Sequence, residues 1–216
     1  MPSLNLERRL WSTGIRRVVG VDEVGMAALA GPVVAAACLV TPGCRLIRRV
    51  RDSKVLTRAE REALYPLIRE RVAAIGIGAA SVAEIHRLNI YHASHLAMQR
   101  ALRQIGAYDH VLIDGRRILD PAFVPGRHTE IVRGDAKSFA IAAASIVAKV
   151  TRDRLMAKLA QRYEGYGWEH NAGYPTIDHR TALRERGVTP FHRRDFGTVR
   201  MLLTAEQIEL ELAALA

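Results

Sequence analysis

The sequence predicts an α/β fold in which helices pack on a central mixed sheet. Strand-like apolar runs come first, and helical segments then alternate with further short strands. Of the 216 residues, 49% are hydrophobic and 25% are charged, which is typical of a globular chain with one substantial core. We find no internal repeat, no low-complexity linker and no shift in composition, so we expect a single domain over residues 1–216.

Five apolar runs have the composition of β-strands, with many β-branched or small residues and glycine close to one end. They cover residues 18–24, 31–40, 74–80, 110–113 and 129–132. The second run is the expected hairpin partner of the first, because the two are close in sequence and similar in length.

Helices are predicted between and after these strands. The clearest covers residues 57–74, where Thr57 and Glu60 have the spacing of a capping box. The other predicted helices cover residues 82–88, 90–105, 137–163, 177–186 and 203–215. Residues 1–17 are polar and rich in arginine, which indicates a short N-terminal arm or a frayed helix. Residues 165–176 hold three glycines and a proline and are predicted to be a loop within a helical C-terminal region, about residues 155–216.

The charge balance favours a polyanionic partner. Lysine and arginine number 32 against 22 aspartates and glutamates, a formal net charge of +10. A generally basic proteome would explain the excess equally well. No window has the apolar length of a membrane span, and the polar N-terminus lacks the apolar segment of a signal peptide. With only Cys38 and Cys44, we expect free thiols and a cytoplasmic protein that does not bind membranes.

Acidic residues follow three of the predicted strands. They are Asp22 with Glu23, Asp114 and Asp135, each close to a glycine or a turn. Buried carboxylates need a cation or hydrogen-bond donors, and a cluster of hard oxygen ligands suits Mg²⁺ or Mn²⁺. Two such ions roughly 4 Å apart could promote phosphodiester hydrolysis. For any one acid alone, a role as a helix or turn cap explains the position better.

The adjacent pair Asp22 and Glu23 is harder to explain as a cap. Neighbouring strand residues point to opposite faces of a sheet, so both side chains reach one site only where the strand ends or bulges. Gly25 permits such an ending.

The segment from Gly20 to Gly25, Gly-Val-Asp-Glu-Val-Gly, followed by residues 29–34, resembles the first motif of ribonuclease HII. The resemblance continues in order along the chain from about residue 18 to residue 200. The further matching segments are Asp52-Ser-Lys54 with Leu56, Leu88-Asn-Ile90, Met98-Gln-Arg-Ala101, Leu112-Ile-Asp-Gly115, Gly134-Asp-Ala-Lys-Ser138, residues 141–153, Tyr166-Gly-Trp168, Gly173-Tyr-Pro-Thr176 and His192-Arg-Arg194.

The resemblance implies a ribonuclease H-like fold, with a central mixed sheet flanked by helices and a helical C-terminal part. It also implies that Asp22, Glu23, Asp114 and Asp135 are catalytic and bind Mn²⁺ or Mg²⁺. The implied reaction is hydrolysis of the RNA strand of an RNA·DNA hybrid, leaving 5′-phosphate and 3′-hydroxyl ends. A DNA duplex with embedded ribonucleotides is a second implied substrate, and we expect a monomer.

In the family, a Gly-Arg-Gly turn and a tyrosine read the 2′-hydroxyl at an RNA–DNA junction, the group by which RNA differs from DNA. The tyrosine matches Tyr174. The turn departs from the pattern, because Gly25 is followed by Met26, Ala27 and Ala28. The change removes a guanidinium and adds a Cβ where the backbone could need a positive φ. Alternatively, main-chain groups make the contacts and tolerate methionine and alanine.

Six basic residues are candidates for holding the phosphates of the duplex, and a solvated helix face is the alternative for each. They are Lys54, Lys137, Lys149, Arg152, Arg193 and Arg194. Asp153 is either an ion-pair partner for Lys149 or Arg152 or a rival fourth acid. We prefer Asp135 for that role, because the following helix N-terminus favours an ionised carboxylate there. Asp195 replaces a usual serine and could pair with Arg194.

Two other groups of residues are assigned to packing rather than chemistry. Because no zinc-ligand spacing is present, His170, His179 and His192 are expected to be surface or packing residues. Tyr163, Tyr166 and Trp168 are expected in a C-terminal hydrophobic cluster, with stacking near nucleic acid as the alternative.

Two rival functions stay open at this point. One is a module that binds hybrids without cutting them, which the altered turn would favour and the four retained acids oppose. The other is a different polynucleotidyl transferase with the same fold, such as a resolvase or integrase.

Overall fold

The computed structural model describes residues 1–115 and 127–204. Within them, five strands form one sheet: β1 (Val18–Val24), β2 (Val33–Val40), β3 (Ala74–Ala80), β4 (His110–Asp114) and β5 (His128–Ile131). The helices are α1 (Asn5–Ser12), α2 (Arg58–Arg71), α3 (Val82–Ile105), α4 (Phe139–Arg162), α5 (Trp168–Asn171) and α6 (Ile177–Arg186).

The sheet is mixed, with the strand order β3-β2-β1-β4-β5. The first three strands form an antiparallel meander, whereas β4 pairs parallel to β1 and β5 parallel to β4. The predicted hairpin of β1 and β2 is confirmed, with Val18 opposite Val40 and Val24 opposite Val34. In the parallel pair, Val21 lies opposite Ile113, so Asp22 and Asp114 follow directly on paired residues at the same edge of the sheet.

Strand alternation gives the central strands two apolar faces. On one face, Val18, Leu112 and the alanine-rich start of α4 form a continuous core. On the other face, Val19, Val21 and Ile113 pack against α3. The strand and α4 approach closely at Gly20, where a Cβ would lie 2.1 Å from the carbonyl carbon of Ala140. The face of β1 that holds Asp22 is therefore pressed against α4.

The N-terminal segment is better ordered than the sequence predicts. Residues 5–12 form α1, and its Glu7 is completely buried. A second difference lies in residues 165–176, which were predicted to be a loop but contain the short helix α5. The final helix begins earlier than the predicted residue 203, because residues 197–204 are helical, and the part of the prediction beyond residue 204 lies outside the described residues. In the described ranges, no helix is long and apolar enough to cross a membrane.

Candidate active site

Asp22 and Glu23 occupy the carboxyl end of the central strand. β1 keeps regular pairing with β2 through both residues, with Asp22 opposite Ala36 and Glu23 opposite Ala35. On the other side, pairing with β4 stops at Val21, so β1 is ending at this pair without a bulge on the β2 side. Asp22 is 5% exposed and lies on the α4 face, and Glu23 points to the other face at the end of the strand.

The other two acids come from neighbouring elements at the same edge. Asp114 is the last residue of β4, and its Oδ1 accepts a hydrogen bond of 2.6 Å from the Gly134 amide. Asp135 follows immediately, in a short 3-10 turn (Gly134–Ala136) that leads into α4, and it is 5% exposed. The hydrogen bond at Gly134 thus ties the segment that carries Asp135 to Asp114.

The pKa values of three of these acids show that the carboxyls are close enough to repel one another. Burial, and then the charges of Glu23 and Asp114, raise the pKa of Asp22 well above its ordinary value. Burial and the charge of Asp114 raise the pKa of Glu23 to about 7. For Asp135, burial and then the charges of Asp114 and Asp52 raise the pKa. The four predicted acids therefore form one electrostatic cluster, which we call the acid cluster.

Lys54 faces the acid cluster from the loop before α2. Burial alone would lower the pKa of its ammonium group, but the carboxylates of Asp22, Asp135, Asp52 and Asp114 together outweigh burial and raise it. Lys54 is exposed, and its backbone amide donates to Asp52 Oδ1 at 2.8 Å. It is therefore a cation that lies within the field of the acids and is open to solvent.

Two serines connect this loop to Asp22, and sequence reasoning assigned them no role. The hydroxyl of Ser145 on α4 lies near enough to the Asp22 carboxylate to lower the pKa of Asp22 against the larger effect of burial. Ser145 Oγ also lies 2.9 Å from Ser53 Oγ in the Asp-Ser-Lys loop. The available signal was that Ser145 is the one hydroxyl residue in the apolar run of residues 139–148.

The donor set of the acid cluster fits hard divalent cations. All its donors are carboxylate oxygens, and their burial and mutual repulsion would be relieved by bound positive charge. Across residues 1–115 and 127–204, no three His, Cys, Asp or Glu side chains already lie close enough to hold a single ion. Side-chain rotations would therefore have to bring the oxygens together around a cation.

The turn after β1 adopts a relaxed backbone. Gly25 has φ +94°, whereas Met26, Ala27 and Ala28 all have ordinary negative φ values. A Cβ at Gly25 would lie 2.2 Å from the Arg152 guanidinium, so glycine is required there. The expected strain from a Cβ at Ala27 is therefore absent, and Ala27 is exposed.

Tyr174 lies beside this turn. The Leu29 amide donates to the Gly173 carbonyl at 2.8 Å, which ties the turn to the segment that carries the tyrosine. The Lys149 ammonium lies 5.3 Å from the centre of the Tyr174 ring. The structure thus places the segment that follows the turn against the segment that carries Tyr174, and Arg152, which packs on Gly25, lies 5.5 Å from the centre of the Tyr174 ring.

Asp153, the rival fourth acid, is committed to ion pairs. Its carboxylate accepts from Lys149 at 2.8 Å and lies 3.5 Å from the Arg61 guanidinium. Arg61 in turn donates to the backbone carbonyls of Ser53 and Leu56, at 2.9 and 2.5 Å. Because the Asp153 carboxylate is already paired with two cations, it is less available as a metal ligand. This favours Asp135 as the fourth acid.

Two of the six basic candidates are buried and cannot meet a phosphate as they stand. Arg152 is 0% exposed and donates to the backbone carbonyls of residues 30, 32 and 172. Arg193 is 2% exposed and donates to the carbonyls of Gly31 and Met26. Both guanidiniums hold loops together around the turn. Lys54, Lys137 and Arg194 are exposed, and Lys149 is partly exposed.

Asp195 pairs with His86 of α3, not with Arg194 as the sequence suggested. The partner is 109 residues away in the chain, so local sequence could not reveal it. His179 and His192 are buried beside Trp168, and Tyr163 and Tyr166 pack in the same region. The predicted packing roles of these two histidines and three aromatic residues are confirmed. His170 is exposed at the surface.

Known proteins match this chain over most of its length. The family model described as Ribonuclease HII matches residues 19–199. Ribonuclease HII of Thermosynechococcus vestitus is 52% identical over 204 residues, which cover 94% of each chain. Ribonuclease HII of Ruegeria pomeroyi is 52% identical over 206 residues, covering 95% of this chain and 86% of the relative.

Solved structures agree with the fold. The crystal structure of ribonuclease H2 from Pyrococcus horikoshii OT3 has a TM-score of 0.72 at 27% identity, covering 86% of this chain and 96% of that one. Bst-RNase HIII in complex with Mn²⁺ has a TM-score of 0.70 at 20% identity, covering 95% and 74% of the two chains, and supports the fold alone. The fold is ribonuclease H-like, and the chain belongs to the ribonuclease HII family.

Proposed function

We propose that this protein is a metal-dependent endoribonuclease that hydrolyses the RNA strand of RNA·DNA hybrids, leaving 5′-phosphate and 3′-hydroxyl ends. The observation that carries the proposal is the acid cluster. Asp22, Glu23, Asp114 and Asp135 converge from three segments, and burial and mutual repulsion raise the pKa of three of them. An enzyme that hydrolyses phosphodiesters with divalent cations needs such a set of desolvated oxygen donors.

In this proposal, the four acids hold Mn²⁺ or Mg²⁺, and the ions supply electrophilic stabilisation of the scissile phosphate and its leaving oxygen. The Glu23 amide donates to Asp22 Oδ1 at 2.8 Å and orients the carboxylate, and the nearby Ser145 hydroxyl lowers its pKa. Lys54 supplies a positive charge at the mouth of the cluster, where a phosphate of the bound strand would enter. Arg194 and Lys137 are exposed cations that could contact the duplex further away.

We also propose that DNA with an embedded ribonucleotide is a substrate, cut on the 5′ side of the ribonucleotide. The support is that the turn of Gly25, Met26 and Ala27 lies beside Tyr174 without backbone strain. In this proposal, main-chain groups of the turn and the tyrosine hydroxyl read the 2′-hydroxyl. Lys149 lies against the Tyr174 ring and limits its movement.

The cellular setting is proposed from the two cysteines. Cys38 and Cys44 are both free thiols, as expected in the reducing cytoplasm.

The test is a cleavage assay with three substrates: a long RNA·DNA hybrid, a DNA duplex with one ribonucleotide, and plain DNA duplex. We expect the wild-type protein to cut the first two in Mn²⁺ or Mg²⁺ and to leave plain DNA intact. Asp22→Asn and Asp135→Asn should each lower the cleavage rate by roughly a hundredfold or more, because each removes an anionic ligand from the site. The matched control is Asp178→Asn, an exposed acid on α6.

The assay also separates the alternatives. Binding of hybrids without any cleavage in either metal would favour a non-catalytic module. Cleavage of plain DNA at a comparable rate would favour another polynucleotidyl transferase. If Asp22→Asn or Asp135→Asn retained full activity, the assigned metal site would be wrong.

A further inference from the structure

Glu7 is a buried acid in a part of the chain that the family model does not match, since the matched region begins at residue 19. The residue is 0% exposed and lies on α1, which the sequence suggested could be frayed. Burying a carboxylate completely is costly unless strong donors meet it. Its position therefore has to be explained by what it contacts.

The contacts of Glu7 lie at the N-terminal end of α4. Its Oε1 accepts a hydrogen bond of 2.6 Å from the Ser138 hydroxyl and one of 3.0 Å from the Ala140 amide. Ser138 is the N-cap of α4, and its hydroxyl oxygen accepts from the Ile141 amide at 3.2 Å. Glu7 thus accepts a hydrogen bond from the hydroxyl of the capping serine and another from a free amide of the first turn of α4. Burial raises the pKa of its carboxyl against these hydrogen bonds.

Residue 3 reinforces the same junction through the backbone. The Ser3 amide donates to the Lys137 carbonyl at 3.1 Å, and the Ser3 carbonyl accepts from the Phe139 amide at 2.9 Å. Residues 3–7 therefore hold both sides of Ser138. We call these residues the N-terminal clamp.

The clamped junction continues directly into the turn that carries Asp135. The amides of Lys137 and Ser138 both donate to the Gly134 carbonyl, at 2.9 and 2.8 Å. On the other side of the turn, the Gly134 amide donates to Oδ1 of Asp114. The turn is consequently fixed on one side by Asp114 and on the other by α4, whose first turn is fixed by Glu7.

We propose that Glu7 is a positioning residue for the metal site, which sets the orientation of the turn bearing Asp135 by capping α4. The proposal rests on the proposed function, because it takes Asp135 to be a metal ligand. Metal ligands depend on the groups that orient them, and loss of such a group typically weakens metal affinity by about 10- to 100-fold. Glu7 would act in this way through Ser138 and Gly134, without touching metal or substrate.

The experiment measures Mn²⁺ affinity directly, by titrating the metal-free full-length protein and following free Mn²⁺ by electron paramagnetic resonance. We expect Glu7→Ala to weaken Mn²⁺ binding about tenfold or more at a temperature where the variant is fully folded. Its cleavage rate should fall at low Mn²⁺ and recover at high Mn²⁺, with KM for the hybrid unchanged.

Asp109→Ala is the matched control. The Asp109 carboxylate also accepts two backbone amides, those of Arg16 and Arg17 at 2.9 and 2.8 Å, but it does so at the opposite end of β1. Its loss should lower the melting temperature without changing Mn²⁺ affinity. If both variants lost affinity in proportion to their loss of stability, the proposal would be overturned.

Two conservative variants cover the case in which Glu7→Ala does not fold. Glu7→Gln keeps an accepting oxygen in the same place, so we expect Mn²⁺ affinity within about threefold of the wild type. Glu7→Asp is shorter by one methylene and cannot keep both hydrogen bonds, so we expect a loss of about tenfold. Wild-type Mn²⁺ affinity in Glu7→Asp would refute the positioning role. If instead the wild-type protein failed to cut hybrids, the proposed function itself would be wrong.

Discussion

His179 and His192 are neutral histidines in the interior, and their hydrogen bonds determine which ring nitrogen carries each proton. Nε2 of His179 accepts from the Trp168 indole at 3.0 Å, so the His179 proton lies on Nδ1 and is donated to the Tyr174 carbonyl. Nδ1 of His192 accepts from the Thr189 amide at 2.9 Å, which places the His192 proton on Nε2, facing His179. Neither ring can take a second proton without losing an accepted hydrogen bond.

These histidines should make the protein sensitive to acid. Burial and then the charge of His179 lower the pKa of His192 from 6.5 to about 3, so it stays neutral in the folded protein while the unfolded chain binds a proton. Because the unfolded state binds more protons, the free energy of unfolding falls as pH decreases below 6.5. The His192 contribution is about 1.4 kcal/mol per pH unit. We expect the free energy of unfolding, measured with urea, to differ less between about pH 7.5 and about pH 5 in His192→Asn than in the wild type. The control His170→Asn, at an exposed position, should show the same difference as the wild type.

The residue scale also shows which site residues a sequence can reveal. Asp22 and Glu23 stand out because two adjacent acids inside an apolar strand are hard to explain as caps. Asp114 and Asp135 add to that signal because they too follow apolar strand residues and lie next to a glycine. The burial of Arg152 and Arg193 gives no such signal. Most of the carbonyls to which they donate lie more than a hundred residues away in the chain. Exposure is a property of the tertiary structure, so these two arginines were taken for phosphate contacts.

At the scale of elements, α3 is interrupted where the sequence suggested a break between two helices. Asn89 has φ 65° and ψ 165°, a conformation that only glycine adopts without strain. Its side-chain oxygen accepts from the Tyr91 amide at 3.0 Å and the His92 amide at 3.2 Å. Asn89 is therefore the N-cap of the second half of the helix, and this cap offsets part of the backbone strain.

Two substitutions at Asn89 should distinguish the contribution of the helix cap to stability from the cost of the backbone strain. Asn89→Ala loses the cap and keeps a Cβ in the strained conformation, so we expect it to lower the free energy of unfolding by about 1–3 kcal/mol. Asn89→Gly loses the same cap but removes the strain, and should cost less than Asn89→Ala. Equilibrium denaturation of both variants measures which of them loses more free energy of unfolding. Equal losses would show that the cap alone matters at this position.

Element boundaries followed local signals well where those signals were strong. The Thr57 and Glu60 capping box predicted the start of α2, and both of its hydrogen bonds are present. The short helix α5 was missed, because glycines on either side and a proline nearby predict a loop. What stabilises α5 is the burial of Trp168, which stacks on the neighbouring Tyr166 and contacts His192, a residue remote in sequence.

For the whole molecule, the number of phosphates that its cations neutralise, and not the net charge of +10 as such, determines how binding responds to salt. Cations that neutralise phosphates release counterions from the nucleic acid, so affinity falls as salt rises. The burial of Arg152 and Arg193 means that part of the positive charge stabilises the fold and does not face a duplex. The exposed lysines and arginines remain for binding, and Lys54 is one that lies within the field of the acid cluster.

Lys54→Ala should therefore reduce the salt dependence of hybrid binding. If Lys54 neutralises one phosphate, the slope of the logarithm of affinity against the logarithm of salt concentration should become shallower by about 0.7–0.9. The measurement is fluorescence anisotropy with a hybrid between about 50 and 200 mM salt, in Ca²⁺ to suppress cleavage. Lys158→Ala removes an exposed lysine nearer the end of α4 and should leave the slope unchanged. The two variants lose the same total charge, so a difference between their slopes reports the position of the lysine. If the slope of Lys54→Ala were unchanged, Lys54 would not neutralise a phosphate, and its charge would act on the acid cluster alone.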